Sequence, residues 1–143
     1  MPTFAVNSLY DPANYGITLG LNCGHNLTTC NSSDLAIAQK YRDVMEDVFK
    51  ATVLAASPDN VVFGTACNQH EETCRIRDYE DIVIDNTSMQ AAFAAWLGQQ
   101  RAAWAGREGA GATAGATASF FDVRWPNNPS CWITDTAPGH GSC

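Results

Sequence analysis

The sequence predicts an α/β fold with parallel strands, and three observations carry that prediction. An apolar, β-compatible run at Thr3 to Leu9, a long amphipathic run after Ser33 and a second apolar run at Asn60 to Ala66 follow one another as strand, helix, strand. A connection that long, with a helix inside it, joins parallel neighbours, because antiparallel ones need only a tight turn. Six cysteines, Cys23, Cys30, Cys67, Cys74, Cys131 and Cys143, make all of them disulfide candidates in an oxidising compartment.

Taken in order, the first run is bounded by Asp11-Pro12, a turn signal, and reads as a short buried strand. Residues 14 to 32 are rich in turn formers and hold Cys23 and Cys30, close enough in sequence to staple their own loop. Ser32 or Ser33 is expected to cap the long helix. Leu35, Ala38, Tyr41, Met45, Val48, Phe49, Thr52 and Val53 recur at helical steps and form its apolar stripe, while Lys40, Arg42, Asp43, Glu46 and Asp47 populate the other face. Ser57-Pro58-Asp59 ends it, and the second strand follows. DIVID, at 81–85, is expected to form a further short strand or an extended segment. Thr87 to Gln90 matches a capping box before a helix with Met89, Phe93, Trp96 and Leu97 on its apolar side, lasting to about Trp104. GREGAGATAGATAS, residues 106–119, is expected to be a flexible glycine- and alanine-rich loop. Residues 120–132, FFDVRWPNNPSCW, regain aromatics and a cysteine and read as a segment pinned back onto the body. A tail, 133–143, completes the chain.

The balance of 8 basic against 15 acidic residues gives a net charge of -7, which disfavours nucleic acid as a partner. No apolar run approaches the ~20 residues of a membrane-spanning helix. Three glycosylation acceptors, at Asn26, Asn31 and Asn86, join the cysteines in pointing to a secreted, extracellular or cell-wall protein. MPTFAVNSLY lacks the basic and long apolar regions of a signal peptide, so a secreted composition here leads to the expectation of a downstream piece of a longer polypeptide.

Two strand ends carry chemistry. NSLYD ends the first strand on a carboxylate, Asp11, and VVFGTACNQH ends the second with an imidazole, His70. An imidazole can take a proton from a hydroxyl nucleophile and return it to the leaving group, and a carboxylate fixes its tautomer. The pair is therefore a candidate catalytic acid and base. Plainer roles exist for each, since Asp before Pro favours turns and a histidine beside Glu71 and Glu72 can be solvated. His25 and His140 have no partner pattern. No metal and no cofactor is expected: Cys67, His70 and Cys74 lack a second closely spaced pair at zinc spacing. Cys67 or Cys74 could serve His70 as a nucleophile, though disulfide anchoring is the simpler role. Trp125 and Trp132 fit either a substrate groove or a core edge.

The motifs NSLYD, NLTTCNSSDLAIAQKYRD, FGTACNQHEE, AFAAWLGQQ and WPNNPSC, in this order, resemble the pectin acetylesterase / Notum family over residues 3 to 132, all but the glycine-alanine loop. The resemblance implies the C-terminal portion of an α/β-hydrolase-type domain, secreted and hydrolysing carboxylic esters: acetyl groups of pectin in plants, a lipid-modified protein in animals. It implies Asp11 as triad acid and His70 as triad base, with acetylated polysaccharide or another ester as substrate. The chain order of acid before base is that of α/β hydrolases.

The serine is missing. None of the eight serines, Ser8, Ser32, Ser33, Ser57, Ser88, Ser119, Ser130 and Ser142, lies in G-x-S-x-G. The expectation is a segment that supplies acid and base to a serine upstream of it in the same catalytic domain. The alternative is a non-catalytic secreted binding or structural module derived from a truncated esterase domain.

Overall fold

The computed structural model describes residues 1–23, 26–68, 70, 76–105 and 119–131. It is a mixed helix and parallel-strand structure of the α/β class. β1 (Phe4–Ser8) and β2 (Val61–Thr65) pair in parallel from Phe4↔Val61 to Ser8↔Thr65. Between them runs α1 (Ser32–Val48), prolonged as a wider π-type turn over Phe49–Leu54. α2 (Ile76–Asp81), a hairpin of β3 (Val83–Ile84) and β4 (Thr87–Ser88), and α3 (Met89–Trp104) follow. β5 (Phe120–Phe121) then joins β2 in parallel, giving the sheet order β1-β2-β5.

β2 is buried along its whole length, and its uninterrupted VVFGT suits a strand covered on both faces, where a half-exposed strand would alternate. Gly64 suits that position. A Cβ there would lie 3.2 Å from Leu9 Cδ2 and 3.3 Å from Phe121 Cδ1, so the two flanking side chains close over the space that glycine leaves. Leu9, Tyr10, Tyr15, Leu27, Phe63, Ile82 and Met89 are fully buried around the strand ends. Phe4 packs edge-on to Phe93 of α3 with a centroid distance of 5.3 Å, and Trp96 donates to the Asp59 carbonyl at 2.8 Å, fastening α3 to the turn that leads into β2.

Several sequence expectations need correction. Asn31, not Ser32 or Ser33, caps α1: its Oδ1 accepts the Asp34 N–H at 2.9 Å from an extended backbone, as good N-caps do. Ser88, not Thr87, caps α3, accepting the Ala91 N–H at 3.2 Å from an extended backbone. The expected strand 81–85 is only two residues long. Asp85 and Asn86 turn it back with φ of 49° and 62°, the backbone of a two-residue hairpin that Asp and Asn tolerate. On α1, Val48 and Thr52 are exposed, while Arg42 and Glu46 are largely covered. Arg42 pairs with Glu46 and donates to the Asp122 carbonyl at 2.7 Å, so part of the expected solvent face packs on the chain after β5. The glycine-alanine segment lies outside the described residues apart from Ser119, and the 133–143 tail lies wholly outside them.

Among the described residues there are two disulfides. Cys23–Cys30 closes the loop expected from its spacing, and Cys67–Cys131 spans a sequence separation of 64. Cys74 and Cys143 lie outside the described residues. Because a longer closed loop removes more freedom from the unfolded chain, Cys67–Cys131 contributes about 4 kcal/mol and Cys23–Cys30 about 2.5 kcal/mol on the chain-entropy relation. Urea unfolding of Cys67→Ser/Cys131→Ser is expected to show the larger loss of stability. Equal losses in the two double variants would contradict that ordering.

Candidate active site

The site forms where β1 and β2 leave the sheet. Parallel strands end on the same side, so the loops after Ser8 and Thr65 emerge together. The ladder's last rung is the Leu9 N–H to the Thr65 carbonyl at 2.9 Å. Beyond it, side chains tie the loops. The buried Ser8 hydroxyl donates to the Cys67 carbonyl and accepts the Tyr10 N–H at 2.9 Å, and Asn68 Nδ2 donates to the Tyr10 carbonyl at 2.9 Å.

Those ties deliver Asp11 and His70 to one another. His70 Nδ1 lies 3.0 Å from both Asp11 Oδ1 and Asp11 Oδ2. Asp11 Oδ1 also accepts the Ala13 N–H at 2.8 Å, which holds the carboxylate in the turn after β1. The Asp11 side chain is 9% exposed and the His70 side chain 47% exposed, so the carboxylate lies inside and the imidazole nearer the surface. Nδ1 facing a carboxylate places its proton on that nitrogen and makes Nε2 the basic one.

Tyrosines line the inner wall. The Tyr15 hydroxyl donates to the Leu9 carbonyl at 3.1 Å and lies 3.2 Å from that of Ala38, and burial pushes its ionisation well above the ordinary tyrosine range. Burial raises Tyr10 as well. Both are therefore neutral hydrogen-bonding groups. Tyr10 donates to Gln39 Oε1 at 2.5 Å and accepts the Trp125 N–H at 3.2 Å, while Gln39 Nε2 donates to the Trp125 carbonyl at 3.0 Å. This ring joins β1, α1 and the chain after β5, and Trp125 packs against the core edge.

The exit of β2 has a second support. Asp122, 3% exposed, accepts the Ala66 N–H at 2.8 Å and the Asn128 amide on Oδ2, and the Val123 N–H at 2.8 Å on Oδ1. Burial raises its ionisation above the ordinary carboxylate range, against the pull of Asn128, the two backbone N–H groups and Arg42. The Cys67–Cys131 bond adds a covalent tie one residue on, and it leaves Cys67 no thiolate with which to act as a nucleophile.

Asp11 and His70 are thus brought together from the two loops that the sequence singled out. Ser8, Asn68, Asp122 and Asn128 are the site-building residues that sequence reasoning missed. Asp122 had a readable signal: FFD repeats the pattern of an apolar strand ending in a carboxylate. Of the acceptor asparagines, Asn26 and Asn31 are exposed caps of helical turns and Asn86 is exposed at the hairpin tip. His25, His140, Glu71, Glu72 and Trp132 lie outside the described residues. Among the described residues no group of three or more His, Cys, Asp or Glu could hold a metal ion, and no helix is long and apolar enough to cross a membrane.

The class these features define is an α/β protein with a carboxylate and an imidazole in contact on loops after adjacent parallel strands. The family model for pectinacetylesterase matches residues 1–132, and the chain belongs to that family. Comparison with curated proteins and with solved structures gives no significant match.

Asp122 yields a prediction with a defined sign. In Asp122→Asn an amide N–H₂ replaces one carboxylate oxygen and meets a donor on either side, so a loss of about 1–3 kcal/mol is expected in urea unfolding. A carboxyl raised in the folded state binds its proton more readily there, so its contribution is fully present below the unfolded value and is lost as pH rises through the folded one. The stability difference between wild type and Asp122→Asn is expected to shrink as pH rises through and just above the ordinary carboxylate range. A difference that grows there would refute the assignment.

Proposed function

We propose that this chain provides the acid and base of a serine carboxylic-ester hydrolase of the pectin acetylesterase type, with an α/β-hydrolase arrangement completed by a nucleophilic serine outside these 143 residues. The observation that carries the reading is the contact of His70 Nδ1 with Asp11 at 3.0 Å on adjacent strand exits. Family membership supplies the reaction class.

Asp11 holds the imidazole in the tautomer with Nε2 basic and stabilises the imidazolium when it forms. Nε2 takes the serine proton as the hydroxyl attacks the acetyl carbonyl, then gives it to the departing sugar alcohol, leaving an acetyl-enzyme. Water, deprotonated by the same nitrogen, releases acetate. Acetylated pectin or a related acetylated glycan is the substrate, and the disulfides and exposed acceptor asparagines suit a secreted protein in the cell wall or extracellular space.

The test is hydrolysis of p-nitrophenyl acetate by the 143-residue chain and by a full polypeptide in which it is joined to a segment carrying the serine. No turnover is expected from the chain alone. In a polypeptide carrying the serine, His70→Ala is expected to lower kcat by about 10⁴-fold or more, and Asp11→Asn by about 10⁴-fold. Wild-type turnover in His70→Ala would remove the base from the assignment. The absence of G-x-S-x-G favours one other reading, a non-catalytic binding or structural module, and an inactive full polypeptide that still retains acetylated pectin on a column would establish it.

A further inference from the structure

We infer that Ser8 is a positioning residue for the Asp11–His70 pair, its hydroxyl replacing the rung at which the β1–β2 ladder stops. The inference rests on the reading of that pair as acid and base for its meaning, and on hydrogen bonds alone for its geometry.

In a parallel ladder a residue on one strand bonds alternately to two residues of its neighbour that lie two apart. The Leu9 N–H reaches the Thr65 carbonyl, so the continued ladder would bring the Cys67 N–H to the Leu9 carbonyl and the Asp11 N–H to the Cys67 carbonyl. Neither rung forms. The Tyr15 hydroxyl occupies the Leu9 carbonyl, and the Ser8 hydroxyl occupies the Cys67 carbonyl while accepting the Tyr10 N–H. Ser8 is 2% exposed, Tyr10 and Cys67 are fully buried, and without the hydroxyl a buried donor and a buried acceptor would lose their partner.

Two consequences follow for the pair. The Asp11 backbone is released from the ladder into the turn in which its own carboxylate accepts the Ala13 N–H. The loop bearing His70 stays tied to the loop bearing Asp11 at Cys67, and again at Asn68, whose amide donates to the Tyr10 carbonyl. A contact of 3.0 Å between side chains on two loops tolerates a shift of only a few tenths of an ångström, and the ties hold it within that margin.

The test reads the pair directly, without turnover. The His70 imidazole is titrated by NMR in the 143-residue chain, its resonances assigned by their disappearance in His70→Gln, since there are three histidines. A carboxylate beside the ring favours the imidazolium, so Asp11→Asn lowers the His70 midpoint. In Ser8→Ala the midpoint is expected to fall in the same direction by about half a pH unit or more, and adding Asp11→Asn is expected to lower it further by less than Asp11→Asn does in the wild type. Ser8→Thr, which keeps the hydroxyl, is expected to restore it. Should Ser8→Ala not fold, Asn68→Ala decides, because it cuts the second tie at a partly exposed site. A folded Ser8→Ala, or in its place Asn68→Ala, that titrates as wild type overturns the inference, as does an unmoved midpoint in Asp11→Asn. Failure of the esterase reading would show separately, as an inactive full polypeptide in which these titration shifts remain.

Discussion

Both carboxyl ends of a parallel strand pair leave the sheet on one side, and the loops that follow are committed to a common edge before any side chain is considered. In this chain the pairing runs unbroken from Phe4↔Val61 to Ser8↔Thr65, so Asp11 and His70 lie three and five residues beyond matched ends. A slip of one residue would move one loop along the other by about 3.3 Å and turn every side chain of the strand to the opposite face. No adjustment of rotamers recovers a 3.0 Å contact after that. Register is therefore the constraint on which the Asp11–His70 contact depends, and packing within the sheet enforces it. In this alignment Leu9 and Phe121 close over Gly64, within 3.2 and 3.3 Å of where a Cβ would lie.

The third strand secures what the first two position. β5 contributes only Phe120 and Phe121 to the ladder, too little to persist by itself, yet the chain beyond it is heavily tied. Asp122 gathers three donors, one of them the N–H of Ala66 at the mouth of the His70 loop. Cys131 bonds Cys67, Arg42 of α1 reaches the Asp122 carbonyl, and Ser130 accepts the Val83 N–H at 3.1 Å. Burial of the Asp122 carboxyl opposes its ionisation, so the anion depends on these donors, and the donors in turn fix the strand exit.

The sequence made some of this legible. The two five-residue strands and the two long helices are visible because each has enough residues for its period to show, and Asp11 and His70 because each stands where an apolar run stops. Cys23 and Cys30 were readable from nearness alone. What escaped are features decided between distant segments. β5 is two residues, below the length at which alternation has meaning. Ser8 looks like any polar residue at a strand end, and only its pairing opposite Thr65 gives its hydroxyl the Cys67 carbonyl. Arg42 and Glu46 lie on the polar side of α1 by count, yet α1 packs against the chain after β5 as well as against the sheet, and that second surface receives them. Both helix starts moved by a residue because Asn31 and Ser88 compete with adjacent residues that can also cap.

The unequal burial of the pair has a chemical direction. The carboxylate lies in the turn with its oxygens spent on Nδ1 of His70 and on the Ala13 N–H, and the ring stands half exposed. A dry carboxylate interacts more strongly with the imidazolium than a hydrated one, so the gain is largest when the ring is charged. Nε2 is then the ring nitrogen on the far side from Asp11. A hydroxyl to be activated there has to be offered rather than consumed. Ser8, Ser57, Ser88 and Ser130 each spend their oxygen on backbone groups in turns and caps. These hydroxyls hold turns and helix starts of the fold, and that of Ser8 lies at the strand exit from which the Asp11 loop leaves.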